Sequence, residues 1–111
     1  MKRRDYIIST LVQSGFRVSM KGFNQFCSCI ELYLDDNTAT IESIYCKVAT
    51  AFSCSTSSVE KNLRRLFCSS DACKAISRMY NIKYNDSGNK QILVMFANYI
   101  ELNRAHYAEI G

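Results

Sequence analysis

Ser57, Ser58, Glu60, Lys61, Arg64 and Arg65 crowd into one stretch, Ser57-Ser58-Val59-Glu60-Lys61-Asn62-Leu63-Arg64-Arg65. On a helix turning ~100° per residue, Ser57, Lys61, Arg64 and Arg65 fall on one side, and Val59, Leu63, Leu66 and Phe67 on the other. Such a helix offers an apolar face to its own domain and a cationic, hydroxyl-bearing face to something outside. That outer face suits duplex DNA. Lysine or arginine can donate to guanine O6 and N7, Glu60 can accept from cytosine N4, and serine hydroxyls with helix N-terminal amides suit phosphate oxygens. Glu60 also admits a local role, because Ser57-Ser58-Val59-Glu60 has the S-x-x-E spacing of a capping box. Lys61 and Arg65 admit the plain reading of solvated surface charge.

The elements that would position these residues span about 41–68. Ile41, Ile44, Tyr45, Val48, Ala49 and Phe52 form the i, i+3, i+4, i+7 stripe of a helix with one buried face. Ser53-Cys54-Ser55 provide a turn, and the cationic helix follows. This is the layout of a helix-turn-helix whose second helix, about 56–68, enters the major groove. Ala49 supplies the small residue needed where two helices cross, Val59 the apolar partner beyond the turn. Ser53 stands where glycine is common and Asn62 where an aliphatic residue is common. An ordinary helical hairpin in an all-α core is the competing reading.

The chain has 111 residues, no proline, four glycines, 48% hydrophobic and 22% charged residues, and a net charge of +4. That is enough chain for one domain with its own core, and too much apolar content for disorder. Scarce turn formers favour helices joined by short polar loops over strands. The excess positive charge permits nucleic-acid binding without requiring it; it clusters in Lys61, Arg64 and Arg65, and again in Lys2, Arg3 and Arg4. The second cluster reads as a frayed terminus or as an arm along a phosphate strand.

The six cysteines contain no C-x-x-C, and His106 has no histidine partner, so neither a zinc site nor any other metal or cofactor is expected. Met1-Lys2-Arg3-Arg4-Asp5-Tyr6 runs straight into an amphipathic pattern without a secretory signal, and no apolar run is long enough to span a membrane. A cytoplasmic location with reduced thiols is expected: Cys27, Cys54 and Cys73 as small core hydrophobes, Cys68 exposed. No glycine-rich phosphate loop or paired-carboxylate motif supports catalysis, so no catalytic residues are assigned.

In order, the first helix runs from about Arg4 to Gln13, burying Ile7, Ile8 and Leu11 and ending at Gly15. An extended link from Phe16 leads to a second helix with Phe23, Cys27, Ile30 and Leu34 at helical spacing. The loop Asp35–Thr38 precedes the helix-turn-helix. A short fifth helix carries Ala72, Cys73, Ile76 and Met79, a polar loop covers Asn81–Asn89, and a last helix from about Lys90 aligns Leu93, Phe96, Ala97 and Ile100. The expected fold class is all-α, six helices, with residues 1–111 as a single domain. Tyr6, Phe23, Phe26, Tyr33, Tyr45, Phe67 and Phe96 read as core rather than as base-stacking groups.

Lys21-Gly22-Phe23, then Ile44-Tyr45-x-x-Val48-Ala49-x-x-Phe52, then Thr56-Ser57-x-Val59-Glu60-Lys61 with Arg64, and finally Ile76-Ser77, resemble the C-terminal effector domain of the master sporulation response regulator of endospore-forming Firmicutes. The resemblance runs in order from about residue 5 to 103. It implies a six-helix DNA-binding domain, a transcription regulator whose fourth helix enters the major groove. By position, Glu60, Lys61 and Arg64 would contact bases or phosphates, with Ser57 at that helix's N-terminus. Ser58 and Lys61 replace residues that are usually arginine in the family, Arg65 replaces a histidine, and Phe16-Arg17 a proline-containing link. The three changes on the recognition helix imply an altered target sequence.

They also keep open an alternative, a protein-interaction module of the same fold that has lost base recognition. The family's regulator carries a receiver domain ahead of this one, so either a receiver belongs to a longer natural chain or this is a stand-alone paralogue. Implied partners are duplex DNA, a second copy of the chain paired on DNA through Tyr99 and Tyr107, and RNA polymerase.

Overall fold

The computed structural model describes residues 2–69, 78 and 88–103. Five helices lie among them: α1 Arg3–Gln13, α2 Lys21–Asp35, α3 Ile41–Ala51, α4 Thr56–Cys68 and α5 Asn89–Leu102, with no strand among the described residues. Apart from residue 78, the short helix expected around 72–79 lies outside the described residues, as do most of the 81–89 loop, Cys73 and Tyr107. The all-helical expectation holds for the rest.

α2 is the central element, in contact with each of the other four helices. Its sequence explains this: Gly22, Phe23, Gln25, Phe26, Cys27, Cys29 and Ile30 are all buried, which is more than one narrow stripe. Around it, Phe16, Phe26, Phe67 and Phe96 form an aromatic cluster from the α1–α2 link, α2, α4 and α5. The Phe26–Phe67 centroids are 4.8 Å apart at 78° and the Phe16–Phe96 centroids 5.3 Å at 80°, the edge-to-face geometry favoured by ring quadrupoles. Burial pushes the Cys27 thiol up to about 11 and the Cys29 thiol up to about 12, so both remain protonated at neutral pH.

Phe16 belongs to the core although it lies in a link, and the cause is the way α1 stops. Gly15 adopts φ 102°, its amide donates to the Val12 carbonyl (3.1 Å), and the Phe16 amide donates to Leu11 (3.0 Å). This pair of bonds is a Schellman motif, which brings the following residue back onto the helix; Phe16 is buried in the same core as Leu11.

At the other end of α1, Arg3 and Arg4 of the basic tip are neither frayed nor free. Arg3 sits 2.9 Å from Asp35 and 3.8 Å from Glu31, and Arg4 bonds Glu31 (2.9 Å), the Ser28 hydroxyl (3.2 Å) and the Asn24 carbonyl (3.4 Å). These contacts fasten α1 along α2.

Gly22 sets the distance between α2 and α4. A Cβ built there would lie 2.9 Å from the Asn62 carbonyl carbon and 3.3 Å from Leu66 Cβ, so only glycine lets the backbones approach this closely. Beside this crossing, the Asn62 side-chain amide donates to Gln25 Oε1 at 3.1 Å. Gln25 is only 5% exposed. Asn62 therefore serves as the partner of a buried glutamine, which accounts for a polar residue at a usually aliphatic place.

Candidate nucleic-acid interface

The α3–turn–α4 unit forms as the stripes indicated: Ile44, Tyr45, Val48 and Ala49 are buried on α3, and Val59, Leu63, Leu66 and Phe67 on α4. Its turn repeats the stop of α1 with a different residue. Ser53 holds φ 54°, its amide donates to Thr50 (3.3 Å) and that of Cys54 to Ala49 (2.9 Å). This is again a Schellman motif, with a serine bearing the left-handed backbone that glycine adopts without cost. Phe52 closes α3 as its C-cap and is 39% exposed, so it leaves the buried stripe to which its spacing assigned it. Cys54 is half-buried at the turn rather than in the core, while Cys29 is fully buried.

The start of α4 differs from the S-x-x-E expectation. Ser55 is the N-cap: its Oγ accepts from the Ser58 amide (3.1 Å) and lies 3.0 Å from the Ser58 hydroxyl. Ser57 is therefore a first-turn residue with an exposed side chain, and Glu60 caps nothing. Glu60 instead pairs with Arg64 one turn on, at 2.9 Å, with side chains 49% and 59% exposed. Two overlapping S-x-x-[SE] patterns competed, and the one beginning where the α3 turn ends prevailed.

Two clefts flank α4. On one side Glu60, Arg64 and Cys68 face Glu42 and Tyr45 of α3 and Gly88, Asn89 and Lys90 at the start of α5, around a space of about 650 Å³. Asn89 ties this flank together by donating to the Glu60 backbone carbonyl at 3.2 Å. On the other side Ser58, Lys61 and Arg65 face Lys21 and Gln25 of α2 and Phe52 and Cys54 of the turn, around about 530 Å³. Ser57 borders a smaller hollow with Glu42, Tyr45 and Cys46. The predicted residues thus share one helix but split into a mixed-charge flank, Glu60 with Arg64, and a basic flank, Ser58 with Lys61 and Arg65.

Lys21 was not among the residues expected here. The signal for it was present in Lys21-Gly22: the glycine that presses α2 against Asn62 and Leu66 necessarily brings its neighbour beside Lys61 and Arg65.

Among the described residues no helix is long and apolar enough to cross a membrane, and no group of three or more His, Cys, Asp or Glu side chains could hold a metal ion. Comparison with known proteins found no matching curated protein and no matching solved structure. The profile of the family described as sporulation initiation factor Spo0A C terminal does match, over residues 7–100. That span takes in α2, α3 and α4 whole, including the Gly22 crossing, the Ser53 turn and both flanks of α4. The chain belongs to this family, the C-terminal DNA-binding domains of a sporulation transcription regulator.

Proposed function

We propose that the chain is a sequence-specific duplex-DNA-binding transcription regulator whose α4 enters the major groove. The observation that carries this reading is the outer face of α4, where Ser57, Lys61, Arg64 and Arg65 are exposed while the opposite side is locked into the core by Val59, Leu63, Leu66 and Phe67. A helix held so firmly on one side offers its other side as a rigid template, as base-edge readout requires. Glu60 and Arg64, already paired at 2.9 Å, are a matched acceptor and donor for a cytosine and a guanine; entering a groove exchanges their mutual bond for bonds to bases. A cytoplasmic site of action accords with this role.

One such domain covers little DNA, so selective binding calls for two copies on adjacent half-sites about one helical turn apart. Tyr99 (38% exposed) and Leu102 (86% exposed) lie on α5, away from the buried stripe, and offer apolar surface for that pairing. RNA polymerase is the further partner that a regulator of this class requires.

The test is quantitative binding of the whole chain to a duplex selected from a random pool and to an unselected duplex. Arg64→Ala should cost about 1–3 kcal/mol on the selected duplex and much less on the other. If the two duplexes bind alike and Arg64→Ala changes neither, base readout by α4 is wrong. Sedimentation should show a monomer without DNA, with cooperative pairing only on probes bearing two half-sites.

A further inference from the structure

The described cations differ sharply in what surrounds them. Arg3, Arg4 and Arg64 each sit against a carboxylate. Lys21, Lys61 and Arg65 are exposed and make no side-chain ion pair or hydrogen bond among the described residues. These three line the same cleft, between the start of α2 and one flank of α4, and among the described residues no acidic side chain lines it with them. Three like charges held on two packed helices without a counter-charge repel one another, and the arrangement is relieved by an anion that spans the cleft. Ser58, also in that lining, adds a hydroxyl beside them.

The opposite flank is built differently. Glu42 and Glu60 stand there with Arg64 and Lys90, so acceptors and donors alternate. Continuous positive charge suits a phosphate chain, whose oxygens only accept; alternating charge suits base edges, which present both donors and acceptors.

We propose that the cleft lined by Lys21, Ser58, Lys61 and Arg65 seats one sugar-phosphate strand of duplex DNA, with Lys21 of α2 as a phosphate contact outside the helix-turn-helix. This rests on the reading of α4 as a DNA-binding helix. It divides that helix lengthwise: the α2-facing flank fixes position on the strand and the Glu60–Arg64 flank reads sequence. Lys61 and Arg65 then contribute affinity to every duplex rather than choice among duplexes. Gly22 gains a second consequence, because the close approach it permits is what carries Lys21 to the strand.

Titration of the whole chain with a selected and an unselected duplex, across a series of salt concentrations, tests this. Neutralising one phosphate contact removes about one from the slope of log affinity against log salt. Lys21→Gln should therefore weaken both duplexes by the same factor. The advantage of the unsubstituted chain should shrink roughly threefold for an about fourfold rise in salt. Lys21→Arg should restore the slope. If the unsubstituted chain binds with steep salt dependence but Lys21→Gln leaves the slope unchanged, or weakens only the selected duplex, Lys21 is not a backbone contact. If the unsubstituted chain shows no salt-dependent binding to either duplex, the DNA-binding reading itself fails, and the strand assignment with it.

Discussion

α1 and α4 carry similar cationic side chains to different ends. On α1, Arg3 and Arg4 are taken up by Glu31 and Asp35 of α2, and Arg4 is further held by Ser28 and Asn24. On α4, Lys61 and Arg65 face Lys21 across a cleft that no acidic side chain lines among the described residues. The net charge of +4 distinguishes none of this. What separates a structural cation from one available to a ligand is the charge of the surface it faces. α2 supplies both answers, acidic near its end at Glu31 and Asp35 and basic at its beginning at Lys21.

The largest expected effect comes from breaking the contact that puts α4 beside α2. Gly22→Ala drives a methyl group into the Asn62 carbonyl, and backbone cannot swing aside as a flexible side chain can. Overpacking of this kind costs about 1–3 kcal/mol and overrides any gain from alanine's better helix propensity. Thermal denaturation should show the loss; an unchanged or higher melting temperature would mean that the two helices tolerate separation. A milder experiment sharpens the contrast between the two cation sets. Arg4→Ala should lower stability by about 1 kcal/mol, since a partly exposed pair with extra hydrogen bonds lies at the upper end for surface ion pairs, and should leave the salt dependence of DNA binding alone. Lys61→Ala should do the reverse, lowering the salt slope by about one with little change in stability. A crossed result, with Arg4 controlling the slope, would erase the distinction. The smallest effect is at the turn, where Ser53→Gly should raise stability by roughly 0.5–1 kcal/mol: removing left-handed strain worth about 1–2 kcal/mol outweighs the added freedom of glycine in the unfolded chain.

Much of the fold could be read from the sequence because helical periodicity reports burial directly. The stripes of α4 and α5 and most of that of α3 are local patterns, and their residues are buried, Ala49 among them; only the ends of the α3 stripe depart, Ile41 half-buried and Phe52 exposed. What escaped was decided by contacts between distant residues. Nothing near Arg3 or Arg4 in sequence reveals that Glu31 and Asp35 lie one helix away. The start of α4 was misread because Ser55, Thr56, Ser57 and Ser58 offer several caps, and the end of the preceding helix chose among them. Phe16 reads as a link residue by periodicity alone, although glycine followed by an aromatic at a helix end is a local sign of the Schellman return that buries it. The candidate interface was half legible. The outer residues of α4 follow from helical geometry, whereas their separation into two flanks depends on what α2 and α5 bring alongside.

The hydrogen bond between Asn62 and Gln25 bears on the freedom of α4 to move. If α4 slid along α2 by one turn, it would carry Asn62 away and strand the carboxamide of buried Gln25, at a cost of about 1–3 kcal/mol. Neighbouring registers of the two helices are thereby discouraged, and the pair acts as an indexing pin between them. Amide exchange that protects α2 and α4 to very different depths would show that the pin does not hold. With it in place, the outer face of α4 is a stencil of fixed pitch, and the adjustment needed for a close fit falls to the DNA, whose sequence-dependent stiffness then becomes part of what is recognised.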